Sequence, residues 1–238
     1  MPAARGARER ARAEITAEIL DAARRQLATD GAAALSLRAV AREIGMVSSA
    51  VYRYVASRDE LLTLLIIESY DSLGAAVEAA AASRRRQPGD RFLAAARAVR
   101  TWAVEHPHEY ALLYGSPVPG YAAPVDTIGP ASRTTLALVG IVVDAHRAGG
   151  LEPRPALDVP VPGALRADLA AVRDAVGATL PDDVVVALLA AWTQLFGLVS
   201  FELFGQTRNV IHEHAALFDA TVLAMVGWLG LRTARTRR

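Results

Sequence analysis

Residues 36–55, SLRAVAREIGMVSSAVYRYV, decide the fold. Leu37, Val40, Ala41 and Ile44 recur at i, i+3, i+4 and i+7, which places one apolar stripe on a short helix. Ser36 stands just before the stripe, where its hydroxyl is expected to cap first-turn N–H groups. Gly45 follows the last apolar residue, where a chain leaving a helix commonly turns left-handed. A second helix is expected over about Ser48 to Tyr54, with Val51 and Val55 inward and Ser48, Ser49, Tyr52 and Arg53 outward. Small hydroxyls, a phenol and a guanidinium can grip phosphates and base edges in a major groove. The pattern is a helix-turn-helix, and it points to duplex DNA.

Upstream, Ile15, Ile19, Leu20, Ala23 and Leu27 predict an amphipathic helix that ends at Asp30-Gly31. Arg5, Arg8, Arg10 and Arg12 read as a basic arm directly before it. Downstream, Ser57 is placed to cap a helix with Asp59 and Glu60 in its first turn, both favourable against the helix dipole. That helix runs through LLTLLII to about Ala82. Arg38, Arg42, Arg53 and Arg58 stud the motif, so a formal net charge of only +1 conceals a local concentration of arginine.

Beyond this segment the text stays helical. Phe92, Leu93, Ala96, Val99 and Trp102 belong to one helix that stops near His106-Pro107, and a short helix spans about Glu109 to Tyr114. GSPVPGYAAP is too rich in breakers for regular structure. Further helices are expected at about Ile128–Ala148, Leu165–Val176, Pro181–Phe204 and Val210–Gly230. Residues 151–163 read as an extended surface segment, and RTARTRR as a frayed tail. No period-2 strand pattern of useful length and no internal repeat appears. The chain is therefore expected to be all-α: a basic arm (1–11), a three-helix helix-turn-helix domain (12–58), a connecting helix (59–82), a larger helical regulatory and dimerisation domain (83–231) and a flexible tail (232–238).

Of the 238 residues 53% are apolar, enough for a substantial core, and none is cysteine, which removes disulfides, zinc–thiolate sites and cysteine catalysis. His106 and His108 flank a proline, while His212 and His214 fall on different faces of a helix, so no metal is expected. No phosphate loop, nucleophile elbow or convergent carboxylate pair is present, so neither enzyme activity nor a cofactor is expected. The charged start is not followed by an apolar core, unlike a signal peptide. Val184–Phe201 has roughly the length of a membrane span. With Gln194 inside, acidic residues around it and no bracketing arginine, it reads instead as a helix buried between subunits, and no membrane partner is expected.

The run ILDAARRQLATDGAAALSLRAVAREIGMVSSAVYRYVASRDELL resembles the DNA-binding domain of TetR/AcrR-type transcriptional regulators over about sixty residues. The resemblance rests on the Ala-Ala of the first helix, Gly31, the A-x3-G of Ala41 to Gly45, Val51-Tyr52 and the S-R-D-E-L opening of the fourth helix. EHPHEYALLYGSPVPGYAAP and WTQLFGLVSFELFG resemble a TetR subgroup whose regulatory domain carries a W-x3-H-G signature. Departures are present: Val47 replaces the serine or threonine common before the recognition helix, Tyr54-Val55 replaces His-Phe, Arg58 replaces lysine, and Phe196 replaces the signature histidine. By this resemblance Tyr52 would bond a phosphate, Ser48, Ser49 and Arg53 would read bases, Arg58 would reach a phosphate at a helix N-terminus, and Ser36 and Arg38 would clamp the backbone across the groove, with Val47 among the interface residues.

Trp102, Tyr110, Tyr114, Trp192 and Phe196 form an aromatic set that core packing could explain; the resemblance implies instead an apolar ligand pocket. The two final helices are too apolar to face water, so a homodimer is expected, with Gly197, Phe201, Phe218, Val222 and Met225 at its interface. The expected function is a cytoplasmic repressor on double-stranded operator DNA, released by an unidentified small-molecule effector. An activator or ligand-independent regulator of the same fold is the alternative; a small all-α enzyme or a membrane-associated protein lies further off.

Overall fold

Between its breakers the chain is rich in Ala, Leu, Arg and Glu, the residues that lose least on entering a helix. The computed structural model describes residues 2–152 and 160–234, with side chains from Arg8 onward, and among these it forms ten α-helices and no strand. The expected segment at 151–163 therefore lies in part, at 153–159, outside the described residues. Contacts group the chain into two units, residues 1–71 with 106–130 and residues 72–105 with 131–238. The stretch 106–130 thus belongs with the N-terminal unit, although it lies far along the sequence.

The first unit contains α1 (Pro2–Asp30), a 3-10 turn at Ala32–Ala34, α2 (Leu37–Glu43), α3 (Ser48–Val51), the first half of α4 (Arg58–Ala81) and, after α5 (Pro88–Glu105), α6 (Pro107–Tyr114). Its core joins Ile19, Leu20 and Ala23 of α1 to Leu37, Val40 and Ala41 of α2, then to Val51, Val55, Leu61, Leu62 and Leu65. Each fully buried Leu, Ile or Val side chain there contributes about 1.5–3 kcal/mol. Leu112, Val118 and Tyr121 pack against the same core. Tyr121 and Thr63 hydroxyls bond at 2.9 Å, which pins the breaker-rich 115–124 loop onto α4.

Two expectations in this unit are corrected. Residues expected as an arm before the first helix are its opening turns, where Ala, Arg and Glu, good helix formers, surround a single Gly6 and Pro2 stands at the helix start, where a proline is tolerated. The second helix of the motif is shorter than predicted: it spans Ser48–Val51, and a mixture of tighter bonds (Arg53 N–H to Ala50, Tyr54 N–H to Val51) and helical ones (Tyr52 N–H to Ser48, Val55 N–H to Val51) carries the chain on to Val55. α4 opens as predicted, with the Glu60 N–H donating to Ser57 Oγ at 3.1 Å and Glu60 Oε2 accepting from the Ala56 N–H at 2.6 Å.

The second unit holds the rest of α4, α5, α7 (Ile128–Arg147), α8 (Arg166–Val176), α9 (Asp182–Leu203) and α10 (His214–Trp228). Phe92, Ala96 and Val99 of α5 share its core with Leu195 and Val199 of α9 and with Phe218, Val222 and Met225 of α10. Forked pairs brace the same helices: Arg100 to Glu202 at 2.8 and 2.5 Å, and Arg97 to Asp219 at 2.8 and 2.5 Å. α10 begins at His214, not Val210, since turns occupy 204–210 and the Thr207 hydroxyl bonds His214 Nε2 at 3.1 Å.

The chain beyond α10 is docked, contrary to a frayed reading, as far as it is described. The Gly89 N–H donates to the Arg232 carbonyl at 2.7 Å and the Ala234 N–H to Asp90 Oδ2 at 3.0 Å. A Cβ on Gly89 would meet that carbonyl at 2.7 Å, so only glycine permits the approach. Residues 235–238 of the expected tail lie outside the described residues.

Candidate functional site

The DNA-facing candidates sit in the first unit, on the parts of α2 and α3 that the core leaves uncovered. α2 closes at Gly45, φ +69°, with the Met46 N–H donating to the Ala41 carbonyl at 2.8 Å and the Gly45 N–H to Arg42 at 3.3 Å. A left-handed turn of this kind needs glycine, and it aims the chain into α3. At the other end of α2, Ser36 has the extended backbone of an N-cap (φ −142°, ψ 120°), yet its hydroxyl makes no cap bond. Instead its own N–H donates to Oε1 of the buried Gln26 at 3.0 Å, so α1 anchors the start of α2. Residue spacing alone gives no sign of that role for Gln26.

Val47 occupies the N-cap of α3 with extended backbone (φ −69°, ψ 138°) and is 70% exposed. Arg38, Ser49 and Arg53 are exposed, Tyr52 is 45% exposed and Ser48 is half-buried. Tyr54 turns the other way and packs against the core. The Arg12 guanidinium lies 5.4 Å from its ring centroid and donates to the Arg53 carbonyl at 3.3 Å. A cation, two hydroxyls and an apolar tip are therefore presented together on a short helix whose opposite side is sealed.

Arg58 departs from the phosphate role that the resemblance implied. Its guanidinium donates to the carbonyls of Ala32 and Ala33 at 3.0 and 3.2 Å, and Nη1 lies 3.6 Å from Asp59. The Ala32 carbonyl also accepts the Leu35 N–H at 3.4 Å, and the fork of the guanidinium suits two neighbouring carbonyls at once.

The aromatic residues proposed around a ligand are drawn from both units, Tyr110 and Tyr114 from the first and Trp102, Trp192 and Phe196 from the second. Tyr110 is fully buried in the first unit, its ring 4.9 Å from Tyr114, which meets Tyr70 edge-on at 6.1 Å. Burial pushes the phenols of Tyr70 and Tyr114 up from their ordinary value, with Tyr70 and Tyr110 adding to the effect at Tyr114. Trp102 is buried in the second unit and donates from Nε1 to Ser72 Oγ at 2.9 Å.

Trp192 does line a cleft. It closes one side of a cavity of about 220 Å³ whose other walls are Thr135 and Val139 of α7, Val172 and Val176 of α8, Leu180, and Val185, Leu188 and Leu189 of α9. The Phe196 ring lies 5.8 Å from that of Trp192. No charged side chain lines the space. A smaller void shares Thr135, Val139, Leu188 and Trp192 and reaches inward to Phe92 and Leu195. One residue earlier on α7, the hydroxyl of Thr134 is buried without a hydrogen-bond partner. Sequence reasoning missed the aliphatic lining because Val172/Val176 and Val185/Leu188/Leu189/Trp192 have the spacing of any core stripe.

The expected dimer residues divide. Phe218, Val222 and Met225 are buried within their own chain, at 2%, 0% and 0% exposure, because α10 turns them onto α5 and α9. They offer nothing to a second subunit. Phe201 is 56% exposed, and a Cβ on Gly197 would meet open space. Leu189, Trp192 and Phe204 of the α9 segment and Leu217 and Leu223 of α10 are exposed apolar residues as well. α7 and α9 have the length and hydropathy of membrane spans, but α9 buries seven side chains from Val184 to Val199 inside its own unit.

Comparison with known proteins places these features. Residues 19–65 match the family described as bacterial regulatory proteins, tetR family, and residues 92–225 match a tetracyclin repressor-like C-terminal domain. The chain is 44% identical over 228 residues to the HTH-type transcriptional regulator Rv1816 of Mycobacterium tuberculosis, covering 94% of this chain and 96% of that one. Mb1846 of Mycobacterium bovis, an HTH-type transcriptional regulator, matches to the same extent. The crystal structure of SCO4313 superposes with a TM-score of 0.75 at 38% identity, covering 92% of this chain and 98% of that one. A Rhodococcus sp. RHA1 protein of unknown function follows at 0.63 and 25%, covering 91% and 94%.

Proposed function

Because the chain belongs to the tetR family of bacterial regulatory proteins, we propose that this transcriptional regulator is a repressor released from its operator by a small molecule. Members of the family bind operator DNA and act as dimers. The observation that carries the DNA half is the row Arg38, Val47, Ser49, Tyr52 and Arg53, exposed on a helix-turn-helix whose other side is filled. In this reading Arg38 and the Tyr52 hydroxyl hold phosphates, while Ser48, Ser49 and Arg53 meet base edges. Ser36 and Arg58 set the geometry of the motif.

The effector half is supported by the cleft between α7, α8 and α9. Nine lining residues without a charge favour an uncharged molecule carrying a ring or an acyl chain, with Trp192 as its aromatic wall. Release requires the effector to prefer the arrangement that does not bind DNA, and the shift cannot exceed that difference in affinity. A second copy covering Leu189, Phe201, Phe204, Leu217 and Leu223 supplies the second reading head for a pseudo-palindromic operator. The protein works in the cytoplasm, and the reading calls for no cofactor, metal or membrane.

The test is selection of sheared genomic fragments on the purified chain, followed by sequencing and by release with uncharged aromatic and acyl compounds. An enriched inverted repeat, freed by such a compound from the natural chain but not from Trp192→Ala, is the expected result. Failure to enrich any sequence overturns the DNA half. Release that is unchanged in Trp192→Ala moves the effector elsewhere.

A further inference from the structure

From Arg8 to Glu14, α1 has no core to rest on. The helix starts at Pro2, yet Arg8 through Glu14 are all exposed, Ile15 is the first residue to meet the core and Ile19 the first fully buried. A short helix left to itself in water is marginal. This one is tied down where the motif presents its DNA face: Arg12 stacks on Tyr54 and donates to the Arg53 carbonyl, both at the end of the α3 segment. Arg8 lies one turn before Arg12 on the same face, about 6 Å further along the helix. Arg10, two residues from each, projects to the opposite side, and Glu9 and Glu14 lie off the Arg8–Arg12 face.

A helix seated in the major groove emerges at the phosphate ridge beside it, and Arg8 is carried past that end of α3 by the Arg12 tether. We propose that Arg8 makes a second contact with the operator, gripping the phosphate backbone just outside the half-site that α3 reads. The inference rests on the DNA reading above and adds an element outside the helix-turn-helix to it. A guanidinium suits the task, since its fork matches a phosphate and its charge is permanent. Arg12 acts as a positioning residue, holding the opening turns alongside the duplex.

The experiment compares two forms of the selected operator duplex, one carrying about ten flanking base pairs at each end, roughly one helical turn, and one trimmed to the half-sites. On the long form, Arg8→Ala should lower the log–log salt slope of binding by about 0.9 per subunit, and Arg10→Ala, with the same loss of charge, should leave it unchanged. Trimming should remove the same increment from the natural chain and nothing more from Arg8→Ala. Alanine sustains the helix, so a lost slope is not a lost fold. Equal slopes for Arg8→Ala and Arg10→Ala, or no effect of trimming, overturn the contact while binding to the core operator leaves the DNA reading standing. If selection recovers no duplex at all, the DNA reading falls and the contact with it.

Discussion

Arg58 donates to the carbonyls of Ala32 and Ala33, which ties the start of α4 to the turn between α1 and α2. Removing that tie should loosen the approach to α2 rather than subtract a phosphate contact. Arg58→Ala is expected to lower stability by about 1–2 kcal/mol, the range for a charge-assisted hydrogen bond at a partly exposed site, and to leave the salt slope of DNA binding unchanged. A drop of about 0.9 in slope with an unshifted melting temperature would instead return Arg58 to the phosphate-contacting set.

Val47 leaves the N-cap of α3 without a side-chain acceptor. Val47→Thr keeps the shape and adds an oxygen where the first-turn N–H groups are open, so thermal denaturation should show a gain of about 0.5–1 kcal/mol. No gain would mean that the short helix does not limit the stability of the unit.

Tyr52→Phe deletes one exposed hydroxyl and nothing from the core. Operator affinity should fall by about 1–2 kcal/mol while the melting temperature stays put. A large loss of stability with unchanged affinity would assign Tyr52 to packing.

Gly197 and Met225 were expected to share an interface, and the structure separates them. Gly197→Arg should leave a folded monomer, seen by sedimentation, because its side chain starts in open space. Met225→Arg should abolish folding, since the residue is fully buried and an unpaired charge there is strongly destabilising. A dimer of Gly197→Arg with full operator affinity would move the interface off α9.

The chain has no lysine and no cysteine, so tyrosines are the side chains that titrate in the moderately alkaline range. Burial raises the Tyr70 and Tyr114 phenols above the unfolded value near 10. Below that pH both states hold the proton and these groups leave stability independent of pH; above it the unfolded chain ionises first, and stability falls as pH rises. Denaturant unfolding across this range should show the fall, and Tyr114→Phe should reduce it. An identical profile in the variant would place its source elsewhere.

The sequence by itself determined the helices and their order. Leu37, Val40 and Ala41, then Gly45, then Val51 and Val55 state the motif locally, because helix periodicity and a left-handed turn are properties of neighbouring residues. The outward turn of Tyr52 and Arg53 followed from the same local geometry. What only the tertiary structure decided were facts of pairing between distant residues. Gln26 holds Ser36 from ten residues away, Arg58 is claimed by carbonyls 25 and 26 residues back, and Tyr121 returns to bond Thr63 across 58. α10 is apolar nearly all round, so its sequence could not say which side met its own chain; packing on α5 and α9 took Phe218, Val222 and Met225 and left Leu217 and Leu223 outside. The cleft arose the same way, as space left where three aliphatic stripes meet, and periodicity names the stripes without saying how closely they close.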